Sequence, residues 1–239
     1  MSDPIDRGEL GTILGVWGHP DDETYLSAGL MARAVRAGQH VACITATRGE
    51  AGSADEERWP SGSELAKIRT VELDAALAEL GVTDHTWLDF ADGGCALVDD
   101  EEAIARICEV MERVQPDTLL SFGPDGMTGH DDHKAASRWA TGAAARVGRP
   151  GTRVCYATHT PEWLSRFRPM LDDLGVFMGA EPPCTPVEEL AVYGVFDGDL
   201  LDAKVRAILR QTSQVEPMVR YLGEAFLREG MAEEAFRLP

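Results

Sequence analysis

The run His19-Pro20-Asp21-Asp22-Glu23 places one imidazole and three carboxylates within five residues, directly after the apolar stretch Thr12-Ile13-Leu14-Gly15-Val16-Trp17. Carboxylates this dense repel one another at neutral pH unless a cation holds them. A second cluster, Gly129-His130-Asp131-Asp132-His133, follows another strand-like stretch much later in the chain. Catalytic zinc takes three ligands from His, Asp or Glu and keeps one position for water. A strand-to-helix turn can direct His19 and Asp22 to one point, and His133 can bring a third ligand from the start of a later helix. Such a set suits one Zn2+, or another borderline first-row divalent ion, per chain. Asp21 is then free to take a proton from water whose pKa the metal has lowered. His130, protonated, can stabilise an oxyanion, with Asp132 accepting its other ring proton.

The competing reading makes both clusters helix N-termini, where acidic side chains complement the macrodipole. Either cluster alone fits that description. Two of them after two buried strands fit one shared metal site better. The HExxH, GxSxG, P-loop and GxGxxG patterns are absent, which removes the commonest zinc-protease, serine hydrolase, NTPase and dinucleotide-binding readings.

Strands must carry these clusters to one place. Apolar runs predict strands over residues 12–17, 40–47, 85–90, 118–122, 153–158 and, last, 190–195. Helical spacing predicts helices over 22–37, 64–80, 100–114, 133–146, 161–174, 199–211 and 216–229. The alternation implies an α/β fold, a Rossmann-like three-layer sandwich with a mostly parallel central sheet and a small C-terminal extension. Ligands in such sheets bind beyond the carboxyl ends of the strands, near a switch in strand order. Residues 1–239 read as a single domain, with 1–10 a loose arm. The acid-rich segment 48–63 is long for a plain connection.

Composition narrows the partners. Lys and Arg number 22 against 41 Asp and Glu, a net charge of −19. Nucleic acid and anionic membranes would repel such a chain. The five cysteines form no CxxC pair, which argues against a disulfide framework and a Cys-based zinc site. No signal peptide or spanning stretch is evident, so the expected location is cytoplasmic.

With these motifs the chain resembles the zinc-dependent N-acetylglucosaminyl deacetylases, the LmbE-like or PIG-L-like family. The matching segments are His19 to Glu23, Thr47-Arg48-Gly49-Glu50, Arg69-Thr70-Val71-Glu72-Leu73 and Phe122 to His133, with weaker similarity at Lys204 and Thr212-Ser213-Gln214. Gln211 stands where a histidine is common in the family. The resemblance implies zinc on His19, Asp22 and His133. It implies Asp21 as general base and His130, supported by Asp132, as stabiliser of the tetrahedral intermediate. Arg69, Asp92 and Glu50 become candidate substrate contacts, though a salt bridge of Arg69 to Glu72 or Glu50 would serve as well. The implied substrate is a small-molecule N-acylated amino sugar or glycoconjugate; a thiol-sugar conjugate or a lipid- or peptide-linked amino sugar would use the same core site. A non-catalytic metal- or sugar-binding module is the alternative class. A homo-oligomer is compatible with all of these. Trp59, Trp163 and His159 read as packing residues that could instead line a pocket.

Overall fold

Strand β1 (Ile13–Trp17) is buried at every position, as expected of a strand covered on both faces. Its odd and even residues enter different cores. Ile13 and Trp17 pack with Leu30, Leu73 and Leu77, whereas Leu14 and Val16 pack with Ile107, Met111 and Trp139. Each such fully buried side chain stabilises the fold by about 1.5–3 kcal/mol. The computed structural model describes residues 10–239 except 53, 54 and 56. The expected arm thus lies outside the described residues apart from Leu10, which is buried.

Strands β2 (Val41–Thr47), β3 (Asp84–Phe90), β4 (Thr118–Ser121) and β5 (Arg153–Thr158) join β1 in parallel. The sheet order is β3-β2-β1-β4-β5-β7-β6, so the order reverses between β1 and β4. Helices α2 (Ala28–Arg36), α3 (Ser63–Leu80) and α7 (Gly198–Arg210) supply one core. Helices α4 (Asp100–Val114) and α5 (Asp131–Val147) supply the other. This is the expected three-layer, mostly parallel α/β architecture. Helices α6 (Pro161–Asp173), α8 (Thr212–Leu222) and α9 (Glu224–Gly230) gather beyond β5 around Trp163, Phe167, Leu171 and Leu227. No helix among the described residues is long and apolar enough to cross a membrane.

Beyond the helix expected over 216–229, which Gly223 divides into α8 and α9, two expectations need correction. The helix expected over 22–37 is two helices, α1 (Asp22–Leu26) and α2, broken at Ser27, whose hydroxyl donates to Glu23 O at 3.0 Å. The break works because the first N–H groups of α2 are satisfied from far away: Gly29 N and Leu30 N donate to the Glu234 carboxylate at 2.7 and 2.9 Å. The second correction concerns the end of the sheet. Strand β6 (Val192–Val195) is not the last; β7 (Glu233–Arg237) follows and inserts between β5 and β6, antiparallel to both. Its sequence hides it, because Glu234 is charged yet fully enclosed. Lys204 on α7 pairs with it at 2.7 Å, both side chains being wholly buried. The C-terminal extension is therefore woven into the sheet.

Candidate metal centre

The two clusters meet beyond the carboxyl ends of β1 and β4, at the switch in strand order. Gly18 makes the approach feasible: a β-carbon there would lie 2.9 Å from His133 Cδ2. His19 Nδ1 faces His133 Nε2 at 3.0 Å, and His133 Nε2 lies 3.4 Å from Asp22 Oδ1. The remaining atoms of these side chains are already engaged. Asp22 Oδ2 accepts from Gly18 N and His19 N at 3.1 and 2.8 Å. His133 Nδ1 sits 3.0 Å from Gly126 O, and its ring stacks on Phe122 at 4.1 Å. His19 Nε2 sits 3.0 Å from Asp92 and 3.2 Å from Asp132. His133 Nε2 thus has His19 Nδ1 and Asp22 Oδ1 as neighbours, while His19 Nδ1 lies 3.8 Å from the other oxygen, Asp22 Oδ2.

Those spacings suit a cation. Ligands about 2.0–2.1 Å from a tetrahedral zinc lie roughly 3.3 Å apart, close to the 3.0 and 3.4 Å found here. Carboxylates behind a ligating histidine are the usual means of fixing its tautomer. Two groupings among the described residues bring all their donor atoms within 4.8 Å of one another: His19, His130 and His133 through ring nitrogens, and His19 with Asp92 and Asp132 through their oxygens. In the latter, however, His19 uses the nitrogen already bonded to both carboxylates.

The electrostatics carry the same message. Burial opposes charge on the His19 ring, but its bonds to Asp132 and Asp92 outweigh this and push its pKa up to about 10. Burial likewise works against the Asp92 carboxylate, and His19 overcomes it, bringing Asp92 down to about 2. His133, with no carboxylate behind it, is driven down to about 4, chiefly by burial. The pocket thus favours a positive charge beside His19, and a metal there would displace the ring proton.

Asp21 stands at the N-terminus of α1 with φ +130° and ψ −32°, a conformation that non-glycine residues rarely adopt. Three contacts involving side chains hold it. Its N–H donates to Glu23 Oε2 at 3.1 Å, its carbonyl accepts from Thr24 Oγ1 at 2.7 Å, and its carboxylate accepts from Arg69 Nη2 at 3.2 Å. Burial pushes the Asp21 carboxyl up to about 7, with the Arg69 guanidinium pulling against it.

Several side chains take places other than those expected. Arg69 is buried and bonds Pro20 O, Gly49 O and Asp21, not Glu72 or Glu50. Asp92, expected at the substrate, also accepts from Ala51 N at 2.8 Å and stands behind His19. Glu50 Oε1 accepts from Asp92 N at 3.0 Å, while its Oε2 is buried without a partner. The Asp132 carboxylate accepts from Gly93 N and Cys95 N at 2.7 and 3.0 Å and contacts the His19 ring, not that of His130. His130 Nδ1 instead accepts from Asp132 N at 3.1 Å, which leaves Nε2 as its donor. His159 stacks flat on Trp163 at 3.8 Å. Gln211 Nε2 reaches Glu23 Oε1 at 3.1 Å and so joins the brace behind Asp21. The carbonyl of Gly126 and the ring of Phe122 went unassigned in the sequence, although both lie inside the second motif.

The chain matches the family model described as PIG-L, GlcNAc-PI de-N-acetylase, over residues 14–144, more than half of its length. It belongs to that family. A relative from Catenulispora acidiphila, a 1D-myo-inositol 2-acetamido-2-deoxy-alpha-D-glucopyranoside deacetylase, is 36% identical over 60% of this chain and 54% of its own. The chain thus spans about half the length of that relative. One of the same name from Streptomyces scabiei is 34% identical over 95% of this chain and 84% of its own. Among solved structures, an N,N'-diacetylchitobiose deacetylase from Pyrococcus horikoshii superposes with TM-score 0.63 at 22% identity, covering 99% of this chain and 84% of the other. That likeness concerns the fold.

Proposed function

We propose that the chain is a metal-dependent amide hydrolase that removes an N-acetyl or other N-acyl group from an amino sugar. The observation that carries this reading is the place of His133 Nε2, 3.0 Å from His19 Nδ1 and 3.4 Å from Asp22 Oδ1, with the strained Asp21 next in the chain. Relatives named as deacetylases of an inositol-linked acetamido sugar support the substrate class. A divalent ion on His19, Asp22 and His133 would polarise the amide carbonyl and lower the pKa of water.

The residues around it divide the rest of the work. Asp21 accepts a proton from the attacking water as its oxygen bonds to the amide carbon. His130 donates from Nε2 to the carbonyl oxygen as charge develops there. Asp21 returns the proton to the leaving nitrogen, the C–N bond breaks, and an amine and a carboxylate depart. Arg69 holds Asp21 in place, and Asp92 and Asp132 hold the His19 ring.

The test is a deacylation screen of N-acetylglucosamine derivatives, inositol-linked ones included, with zinc-loaded protein and detection of free amine. Turnover is expected; none across the panel overturns the reading. Full zinc and activity in both His19→Ala and His133→Ala would remove the ligand set.

A further inference from the structure

A cavity of about 150 Å³ opens beside Asp22 and His133. Its walls include Leu26, Trp163, Leu171, Phe177, Met218 and Met231. Neither Arg69, Asp21, Glu50 nor Asp92 lines it. The sheet order explains the division. Arg69, Glu50 and Asp92 belong to the β2–β3 side, the candidate ligands sit at β1 and β4, and the cavity lies toward β5 and β7. An amide held at the centre would therefore direct its nitrogen toward Asp21, which must reprotonate it, and its acyl carbon chain the other way.

The polar groups in the wall are mostly spoken for. Thr158 pairs with Thr185 at 2.9 Å, and Glu233 accepts from Thr160 and Tyr193 at 2.7 and 2.8 Å. Glu234 serves Lys204 and the start of α2. A sugar placed here would find few hydroxyl partners beyond Tyr25, Thr128 and the His159 ring. A hydrocarbon chain needs none.

Resting on the proposed hydrolase reading, we infer that this cavity is an acyl-chain subsite and that the enzyme prefers N-acyl groups of roughly six carbons over acetyl. An apolar cavity of about 150 Å³ accommodates a molecule the size of benzene, so roughly six carbons fit. The reaction is unchanged: water's oxygen joins the acyl carbon, the C–N bond breaks, and the water protons end on the amine and in solution.

The experiment is a series of N-acyl glucosamines from acetyl to decanoyl, compared by kcat/KM on metal-loaded protein. Each added methylene should raise kcat/KM roughly fourfold up to about six carbons, from the usual gain for burying a methylene, with no gain beyond. Acetyl turnover with a flat or falling series overturns the subsite and leaves the hydrolase reading standing. Absence of turnover for every member overturns the hydrolase reading itself. Binding tests the cavity without turnover: hexanoate should saturably change Trp163 fluorescence where acetate does not, and no response to hexanoate overturns the subsite. Val176→Trp and Met218→Trp, both half-buried in the wall, should each lower the hexanoyl-to-acetyl ratio at least tenfold; an unchanged ratio in both counts against it.

Discussion

Asp21 and His130 flank the same candidate ligands yet are held by opposite means. Asp21 is held through its backbone and an arginine, His130 through its own Nδ1. Asp21→Asn should therefore bind zinc at wild-type stoichiometry while kcat falls by about 10²–10⁴, the usual range for a lost general base. Elemental analysis alongside steady-state kinetics checks both halves. His130→Ala should also keep its metal and lose about 10²–10³ in kcat. A drop in bound zinc would make His130 a ligand instead. Away from the centre, burial drives His159 down to about 3. It is neutral when folded, whereas the unfolded ring binds a proton below about pH 6.5. Its contribution is thus fully present above that pH and is lost as pH falls toward 3. Melting midpoints should decline between pH 6.5 and 4, and His159→Phe should flatten part of that decline relative to wild type.

At the scale of elements, the apolar runs foretold β1, β2, β4 and β5, because strands buried on both faces read as continuous hydrophobic stretches. The ends of β1 and β4 foretold where the clusters would meet. What stayed hidden was pairing over long sequence distances. Asp92 behind His19, Asp132 on the same nitrogen, and Glu234 under α2 are all acids whose partners lie elsewhere in the chain. Periodicity registers an acid as exposed, and all three are enclosed. Glu234 makes the point measurable. Lys204→Met would leave a buried carboxylate without its cation and should destabilise the fold by about 3–5 kcal/mol. Adding Glu234→Gln should recover part of that loss in urea unfolding, since the amide still offers an acceptor to α2 without the charge.

The molecule as a whole concentrates acids around a point that favours positive charge, and the candidate ligands come from both sides of the break in strand order. A divalent ion bound there would hold β1 and β4 together and would bind only the folded chain. Zinc at 100 times its Kd should thus stabilise the protein by about 2.7 kcal/mol. A rise in melting midpoint reversed by chelator, and missing in His133→Ala, is the expected result. The cysteines give an independent check on packing. Cys184 is exposed while Cys43, Cys95, Cys108 and Cys155 are buried. Thiol titration of the native protein should count one fast group, and denaturant should release the other four.

The cap on α2 has a consequence for how the protein is made. Gly29 and the carboxylate that receives its N–H are 205 residues apart. At synthesis rates of about 5–20 residues per second, Glu234 follows Gly29 by roughly 10–40 s. Throughout that interval the nascent chain carries the whole HPDDE turn, yet the helix behind it has no acceptor for its first amides. The turn that holds Asp21 and Asp22 is finished only once a carboxylate 205 residues beyond Gly29 has been made.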